Sequence, residues 1–362
     1  MRLLIAASGT GGHLFPAIAT ATQLSDYDIE WLGVPDRLET QLVPQQYPLH
    51  TIGVQGFQER FGLGTVRTFT RLTGSILKVR RLLKQGKFQG VFSTGGYIAA
   101  PAILAARSLG LPVILHESNA LPGKVTRLLS GWCDLVALGF DCSTQYLPRA
   151  KKTAIVGTPV RSAFLGETEP LPFSIPENAP LIVVVGGSQG AVAVNQLVRE
   201  AASAWFEMGA WVVHLTGTND PHTDSLQHPQ YLAMPFYDNM AALLKRANLA
   251  ISRAGAGTLT ELAVTQTPSI LIPYPYAAED HQTYNAKVFA DADAGLLLAQ
   301  TDLTGEILKT KVSHLLSSPQ QLQQMAQATA SLAVLNSAEQ LASAIAQVLS
   351  GEGKNRLQTQ EK

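Results

Sequence analysis

Residues suited to holding a phosphate group are concentrated in the stretch Ser252–Asn285. It begins at the end of an apolar strand, continues as the glycine-broken loop Arg253–Gly257, and then shows the pattern of a helix. A loop that leads into a helix presents backbone N–H groups and the positive end of the helix dipole, and both favour a phosphate. Gly255 and Gly257 allow the backbone to approach a ligand that Cβ atoms would block.

Glu261 lies just inside this predicted helix and faces the same loop. It could therefore serve a ligand bound at that loop. Alternatively, Thr258 and Glu261 could form a capping box that serves only the helix, because they lie three residues apart. This segment alone does not decide between a ligand and a cap.

A second polar segment follows the next apolar strand, Ile270–Ile272. It contains Asp280, His281, Gln282 and Asn285, which we predict to fill a loop at the carboxyl end of that strand. Ligands of open α/β sheets bind at that edge.

Loops of the same kind follow other apolar strands of the chain. They are Gly9–His13 after Arg2–Ser8, Thr94–Tyr97 after Phe88–Ser93, His116–Asn119 after Leu111–Leu115, and Gly186–Gly190 after Leu181–Val185. Strands alternate with helices at βαβ spacing, which predicts parallel sheets covered by helices on both faces. The pattern occurs once on each side of a proline-rich segment between Thr158 and Pro180, which is typical of a linker.

The length and composition are those of a globular protein with more than one domain. The chain has 362 residues, and roughly 100–200 residues make a domain. We predict a first Rossmann-like domain over residues 1–160 and a second over 161–337. A final helix at about 338–350 is expected to pack on the first domain, and residues 351–362 form a polar tail.

The charge balance argues against nucleic acid as a partner. Lys+Arg and Asp+Glu both total 27, whereas binding nucleic acid requires an excess of positive charge. Cys133 and Cys142 match no metal-ligand spacing and are expected to be reduced. No run of the sequence reads as a signal peptide or is apolar enough to span a bilayer, so any membrane association is expected to be peripheral.

One segment, Phe57–Phe88, is strongly basic although the chain has no net charge. Its basic residues alternate with apolar ones. The commoner structure with this pattern is a helix with a solvated basic face and a core-facing apolar stripe. The alternative is a surface that rests on anionic lipid headgroups, with Arg80, Arg81 and Lys84 among its contacts.

Three common phosphate-binding chemistries do not fit. The loop after the first strand has Leu14 where a dinucleotide fingerprint requires its third glycine, and the second strand, ending at Val34, carries no carboxylate at its tip. No Gly-Lys-Ser/Thr triplet follows any glycine loop, which excludes a P-loop. Asp291 and Asp293 lie in a helical run where residues two apart diverge, so no metal site is predicted.

Glycine loops in two domains without a metal motif favour a transferase that holds a nucleoside diphosphate through hydrogen-bond donors. The loops themselves resemble the MurG family, the N-acetylglucosaminyltransferases of peptidoglycan precursor synthesis, from about Met1 to Leu349. The matching motifs occur in the order Gly9–Pro16, Ser93–Tyr97, His116–Asn119, Gly157–Arg161, Gly186–Gly190, Ser252–Gly257 and Asp280–Asn285.

The resemblance implies two Rossmann-like domains facing across a cleft, which is the GT-B glycosyltransferase fold. It implies an inverting enzyme that moves GlcNAc from UDP-GlcNAc to the muramyl 4-hydroxyl of undecaprenyl-linked lipid I, giving lipid II. No chemical cofactor is expected. The implied location is the cytoplasmic face of the plasma (inner) membrane, where the enzyme is held peripherally on an anionic surface.

Site residues follow from the resemblance position by position. The UDP-GlcNAc contacts it implies are Thr10, Gly11, Gly12, Asn119, Arg161, Ser188, Tyr237 (beside the uracil), Ala256, Gly257, Thr258, Glu261 (on the ribose) and Gln282. His13 is the first candidate for the general base, because imidazole titrates near neutrality. Its alternative role is to bind phosphate at a helix N-terminus. Glu117 is the second candidate, and His116 is expected to be structural.

Other functions are also compatible with the same residues. They are another lipid-acceptor transferase of this fold, such as a diacylglycerol galactosyltransferase, or a UDP-GlcNAc 2-epimerase. A third is a non-catalytic sugar-nucleotide-binding protein docked at the membrane. This last protein would bind UDP-GlcNAc without releasing UDP to any acceptor.

Overall fold

The apolar runs form parallel β-strands in a computed structural model of the chain, which describes residues 1–35, 37–53, 63–187 and 190–351. The side chains of residues 63–69 lie outside this description. The chain divides into two compact units. Unit 1 is Met1–Arg161 together with the segment that begins at Asn336, and unit 2 is Ser162–Leu335.

Within the described residues, unit 1 contains a seven-stranded parallel sheet. Its strands are β1 (Arg2–Ala6), β2 (Asp28–Gly33), β3 (Leu49–Thr51), β4 (Gly90–Ser93), β5 (Val113–Glu117), β6 (Leu135–Leu138) and β7 (Thr153–Ile155). They lie in the order β3-β2-β1-β4-β5-β6-β7, so the direction of winding reverses between β1 and β4. Such a reversal is where open α/β sheets bind ligands.

Unit 2 repeats this plan, with a six-stranded parallel sheet in its described part. Its strands are β8 (Leu181–Val185), β9 (Trp211–Leu215), β10 (Tyr231–Met234), β11 (Leu249–Ser252), β12 (Ser269–Leu271) and β13 (Gly295–Leu297). The order is β10-β9-β8-β11-β12-β13, with the reversal between β8 and β11.

Helices cover the sheets. In chain order they are α1 (Gly11–Thr22), α2 (Glu39–Leu42), α3 (Leu63–Gln85), α4 (Ala99–Arg107), α5 (Lys124–Leu129), α6 (Val192–Glu207), α7 (Met240–Arg246), α8 (Ala256–Thr265), α9 (His281–Asp291), α10 (Gly305–Leu316), α11 (Pro319–Ser331) and α12 (Ser337–Ser350). Consecutive strand residues such as Leu3, Leu4 and Ile5 have no exposed surface, as expected when both faces of a parallel sheet are covered.

The last helix belongs to unit 1. Leu341, Ala342 and Ile345 of α12 are buried in the same core cluster as Leu14 and Ala17 of α1. The chain therefore leaves unit 1 after β7, builds unit 2, and returns to complete the core of unit 1.

The basic segment forms helix α3. Val79 and Leu83 are buried four residues apart, so one stripe of the helix faces the core. Arg81 and Lys84 are exposed, and Leu77 is 61% exposed beside them. Within the described residues, no helix is both long and apolar enough to cross a membrane.

The structure confirms the predicted fold class of two parallel α/β units and corrects several local predictions. The short strands β3, β7 and β13 were not predicted, because three residues are too few to show a periodicity. His116 and Glu117 are the last residues of β5 and not a loop. Helix α9 ends at Asp291, so the Asp291–Asp293 pair spans a helix end, with Asp293 in the left-handed region at φ +57°.

Candidate functional site

The loop after β1 carries a predicted binding segment to the carboxyl edge of the first sheet. Gly9 has φ +104°, a backbone conformation that favours glycine. Thr10 is the extended N-cap residue of α1, and both Thr10 and Gly12 are exposed. The predicted contacts Thr10, Gly11 and Gly12 thus lie at a solvent-accessible helix N-terminus, where an anion is favoured.

The imidazole of His13 is held by the loop that follows β4. Its Nδ1 lies 2.7 Å from the carbonyl oxygen of Thr94, and the Thr94 hydroxyl donates to the His13 carbonyl oxygen at 2.9 Å. Since a carbonyl oxygen only accepts, Nδ1 carries a proton, and in the neutral ring Nε2 is the nitrogen that can accept one. Gly96 lies beside that nitrogen, since a Cβ atom on Gly96 would lie 3.5 Å from Nε2. His13 can therefore accept a proton at Nε2.

Glu117, the second predicted catalytic residue, is buried at the end of β5. Its Oε1 accepts from the backbone N–H and the side-chain amide of Asn119, at 3.1 and 3.0 Å. Its Oε2 accepts from the Gly123 N–H at 3.0 Å and the Thr126 hydroxyl at 2.7 Å. Both oxygens are thus engaged by the segment that joins β5 to α5, and the carboxylate fixes that segment and Asn119 with it.

His116 joins two strand ends beneath the site. Its ring is fully buried, and Nε2–H donates to the Gly157 carbonyl oxygen at 2.9 Å. Burial lowers the pKa of His116, so the imidazole is neutral at physiological pH. Arg161 follows the same Gly157 turn and stacks its guanidinium 4.6 Å from the ring centre of Phe15, on the first turns of α1.

In unit 2, the loop after β8 requires glycine at two described positions. A Cβ atom on Gly186 would lie 2.6 Å from the Ala191 nitrogen, and one on Gly190 would lie 2.2 Å from the Thr216 carbonyl oxygen. Gly190 also has φ +82°. The predicted contact Ser188 lies outside the described residues.

The phosphate-side loop and the predicted ribose acid lie on α8. Gly255 is the N-cap residue of this helix, and Ala256, Gly257 and Thr258 form its first turn. The capping-box alternative is wrong, because Thr258 lies within the helix and not at its cap. Glu261 is half-buried one turn further along, on the same face as Gly257 and Thr258.

Gln282 and Asn285 lie three residues apart near the start of α9, not in the predicted loop. The Gln282 Oε1 accepts from the backbone N–H groups of Ala254, at 3.3 Å, and Tyr274, at 2.9 Å. Asn285 is fully buried and donates from Nδ2 to the Ala254 carbonyl oxygen at 3.1 Å. Two residues of one helix turn therefore fix both peptide groups of Ala254, just before the N-cap of α8. The Gln282 Nε2 group is left as a donor.

Arg253, which the sequence did not single out as a contact, ties the strand ends of unit 2 together. Its guanidinium donates to the carbonyl oxygens of Ile272 and Pro273, each at 3.1 Å, and to Gln300 Oε1 at 2.6 Å. The group thus supports the chain after β12 and joins it to Gln300.

Tyr237, predicted to lie beside a uracil, follows the end of β10. Its ring is 5.3 Å from that of Phe173, and burial with the nearby Glu169 charge raises its pKa. The ring is thus partly covered by the proline-rich segment that enters unit 2.

A buried carboxylate that the sequence did not reveal lies at the tip of β2. Glu39, on the short helix α2, accepts from the Ser8 hydroxyl at 2.6 Å, the Gly9 N–H at 3.3 Å and the Val34 N–H at 2.7 Å. The end of β2 itself carries no carboxylate, as predicted, but Glu39 of α2 brings one to it, with oxygens that accept from the protein's own groups. The signal for Glu39 in the sequence was the glycine at position 33, because a Cβ atom there would lie 2.8 Å from Glu39 Cγ.

A buried polar network backs the glycine loop of unit 2. Asn195 of α6 donates to the Thr216 carbonyl oxygen at 2.8 Å and to Asp220 at 2.7 Å, and it accepts from His214 Nε2 at 3.0 Å. Arg199 pairs with Asp220 at 2.8 Å. Burial, with the Arg199 charge, lowers the pKa of His214 to about 3. Burial would raise the pKa of Asp220, but hydrogen bonds led by Arg199 lower it to about 2.

The predicted residues therefore fall into two sets. Thr10–His13, Glu117, Asn119 and Arg161 belong to unit 1, and Tyr237, Ala256–Thr258, Glu261 and Gln282 belong to unit 2. Within the described ranges, no group of His, Cys, Asp and Glu side chains is arranged to hold a metal ion.

Comparison with known families gives the class of protein first. The model of the glycosyltransferase family 28 N-terminal domain matches residues 3–138, and that of the C-terminal domain matches residues 181–346. The glycine loops described above lie within or beside these matches, so the chain is a glycosyltransferase.

Individual proteins narrow this class. A protein of Nostoc punctiforme, named UDP-N-acetylglucosamine--N-acetylmuramyl-(pentapeptide) pyrophosphoryl-undecaprenol N-acetylglucosamine transferase, is 66% identical over 96% of this chain and 98% of its own length. The crystal structure of MurG from Acinetobacter baumannii is 30% identical, with a TM-score of 0.76 over 96% of this chain and 99% of that one. The calicheamicin glycosyltransferase CalG4, at 15% identity and a TM-score of 0.71 over 96% of this chain and 98% of that one, shares the fold.

The chain belongs to the MurG family of N-acetylglucosaminyltransferases. The resemblance inferred from the loop motifs is thereby confirmed.

Proposed function

We propose that the protein transfers N-acetylglucosamine from UDP-GlcNAc to the 4-hydroxyl of the muramyl sugar in undecaprenyl-pyrophosphoryl-MurNAc-pentapeptide, with inversion. The observation that carries this proposal is the 66% identity, over 96% of the chain, to a relative whose name states this donor sugar and acceptor. The rival transferases and the epimerase are not favoured, because the identity spans both units.

His13 is the proposed general base. Its Nε2 takes the proton of the acceptor hydroxyl while that oxygen forms a bond to the anomeric carbon of GlcNAc. The bond from that carbon to the diphosphate breaks, and UDP leaves with the electron pair. The hydrogen bond from Nδ1 to Thr94 keeps the base nitrogen oriented and stabilises the imidazolium that forms.

Glu117 is the less suitable base on geometric grounds. Both of its oxygens already accept hydrogen bonds from the β5–α5 segment. Taking a proton would break that arrangement. We assign it the role of fixing the segment that presents Asn119.

UDP-GlcNAc is proposed to be held by the contacts that the family resemblance implies. The leaving diphosphate gains negative charge in the transition state, and donors aimed at it stabilise that charge. The assigned donor contacts are Thr10, Gly11, Gly12, Asn119, Arg161, Ser188, Ala256, Gly257, Thr258 and Gln282. Glu261 is assigned to the ribose hydroxyls and Tyr237 to the side of the uracil.

Helix α3 is proposed to rest on the anionic cytoplasmic face of the plasma (inner) membrane. Its exposed Arg81 and Lys84 lie on the face of the helix that also exposes Leu77. Arg80 is less accessible, because its Nε donates to the Ser108 hydroxyl at 3.0 Å. A membrane-borne acceptor explains why such a surface belongs to the unit that carries the base.

The direct test is UDP release with purified lipid I and UDP-GlcNAc, with formation of the disaccharide product followed by mass spectrometry. We expect turnover with UDP-GlcNAc and a large loss with UDP-galactose. UDP-GlcNAc binding without UDP release would identify a non-catalytic binding protein. Equal turnover with UDP-galactose, or with an acceptor that lacks the muramyl sugar, would point to a different lipid-acceptor transferase.

A further inference from the structure

Glu39 is a fully buried carboxylate that is absent from the proposed chemistry. Its donors come from the ends of adjacent strands: Ser8 and Gly9 after β1, and Val34 after β2. Burying a carboxylate is costly unless its oxygens accept hydrogen bonds. The glycine at position 33 makes room for it, since a Cβ atom there would meet Glu39 Cγ at 2.8 Å.

The donors of Glu39 adjoin the residue that carries the base. Gly9 directly precedes Thr10, the N-cap of α1, and His13 lies on the first turn of that helix. On the opposite side, the loop after β4 holds the His13 ring through Thr94. The segment from Ser8 to His13 is thus fixed from the β2 side by Glu39 and from the β4 side by Thr94.

Unit 1 differs from a dinucleotide-binding domain in the direction of the Glu39 carboxylate. In dinucleotide-binding units, an acid at the end of the second strand accepts from a ribose. Here the acid at that place is turned inward, and its oxygens accept from the protein's own loop. It is therefore a support of the loop and not a ligand contact.

We propose that Glu39 is a positioning residue for the transfer reaction. Its carboxylate holds the Ser8 hydroxyl and the Gly9 N–H group, and the path of this loop sets where His13 Nε2 meets the acceptor hydroxyl. The inference rests on the proposed function, in which His13 is the base. Misplacement of a catalytic group by about 1 Å costs about 10²-fold in rate.

The test compares Glu39→Gln with the matched variant Glu30→Gln. Glu30, on β2, is buried like Glu39, but its partners are Arg2 and His50. In Glu39→Gln, the amide that replaces the carboxylate would direct its own N–H groups at the N–H group of Gly9 or Val34. We expect kcat with lipid I to fall about 10²-fold in Glu39→Gln. The affinity for UDP, measured by calorimetry, should fall by a smaller factor, because the assigned donor contacts Thr10–Gly12 adjoin Gly9. Glu30→Gln should keep the kcat of the wild type even where its melting temperature falls.

Two further variants keep the test decisive if Glu39→Gln folds poorly. Ser8→Ala removes one donor and should lower kcat by a smaller factor. Gly33→Ala pushes on the Glu39 side chain without changing its carboxylate, and its effect should be non-additive with that of Ser8→Ala.

The outcomes separate this inference from the proposed function. Normal kcat in Glu39→Gln, or in both Ser8→Ala and Gly33→Ala, overturns the positioning role while the transferase assignment stands. A parallel loss of UDP affinity and kcat in Glu39→Gln also overturns it, because that pattern indicates general damage. Failure of the wild-type protein to transfer GlcNAc to lipid I overturns the proposed function itself.

Discussion

The first glycine loops of the two units look alike in sequence but are supported differently. Gly9–Gly12 and Gly186–Gly190 each follow a strand beside the reversal point of their sheet and lead into a helix. In unit 1 the supports are Glu39 of helix α2 and Thr94 of the loop after β4, which lie on either side of the glycine loop. Those supports fix a side chain, His13, as well as the backbone.

In unit 2 the support comes from the helix that the loop itself starts. Gly190 lies against the Thr216 carbonyl oxygen, and Asn195 of α6 holds that oxygen in place. Asp220, Arg199 and His214 complete the network. The glycine loop of unit 1 is therefore supported in a way that positions the His13 imidazole. The glycine loop of unit 2 is supported in a way that positions the Gly190 backbone against the Thr216 carbonyl oxygen.

The largest expected effect is on kcat and comes from removing the imidazole that the loop of unit 1 positions. His13→Ala should lower kcat by about 10²–10⁴-fold, because the acceptor hydroxyl loses its proton acceptor. UDP affinity, measured by calorimetry, should not change. Wild-type turnover in this variant would remove the base assignment, and a loss confined to donor affinity would indicate a phosphate-binding role.

Glu261→Ala tests the nucleotide side. Hydrogen bonds to a charged group are worth about 1.5–3 kcal/mol, so UDP should bind about 10–100-fold more weakly. The melting temperature should hold, since the N-cap of α8 is Gly255 and Glu261 lies in the second turn of the helix. Glu306→Ala, which removes an acid from the first turn of α10, is the control. Unfolding of unit 2 with unchanged UDP affinity would contradict the ribose role.

The network under the loop of unit 2 should be visible as a pH dependence of stability. The folded-state pKa of His214 is about 3, below the ordinary value near 6.5, so its contribution is present above pH 6.5 and is lost as pH falls below it. Between pH 7.5 and 5.5 the free energy of unfolding should fall by about 1.4 kcal/mol from this group. Asp220, with a pKa of about 2, adds nothing in that window.

Urea unfolding of His214→Gln at the two pH values checks this prediction. The variant should lose this part of the pH dependence, whereas His314→Gln, at an exposed position on α10, should keep it. An unchanged pH dependence in His214→Gln would show that the buried imidazole does not control it.

The smallest expected effect concerns the outer surface of unit 1. Arg81→Gln and Lys84→Gln should each weaken binding to anionic vesicles about fivefold, at about 1 kcal/mol per charge. Arg80→Gln also removes the contact with Ser108, so its melting temperature must be measured alongside. The control is Lys287→Gln with Lys311→Gln, two exposed lysines of unit 2. If the control variant loses as much vesicle binding as the α3 variants, or if the α3 variants lose none, α3 does not bind the membrane and its basic face is only solvated.

Much of the fold was predictable because its signals are local. Buried strands such as Leu181–Val185 are continuous apolar runs, and the glycine loops directly follow them. The residue types of those loops also carried the family resemblance. The short edge strands had no such signal, since each contributes only three residues.

The parts that could not be predicted depend on distant neighbours or on unusual backbone. Glu39 reaches Gly9 across 30 residues of sequence, and only the pairing of β1 with β2 brings them together. Glu279 and Asp280 both adopt left-handed backbone, at φ +53° and +58°. This conformation is uncommon for residues other than glycine, so the sequence did not predict it. Helix α9 therefore begins at His281, so Gln282 and Asn285 lie on a helix turn.

The return of α12 to unit 1 has a consequence for synthesis on the ribosome. Leu341, Ala342 and Ile345 fill the core beside α1 only after all of unit 2 has been made. At ordinary rates of translation this leaves that apolar face uncovered for on the order of ten seconds or more. A premature stop just before Asn336 would thus damage the unit encoded first and leave intact the one encoded last.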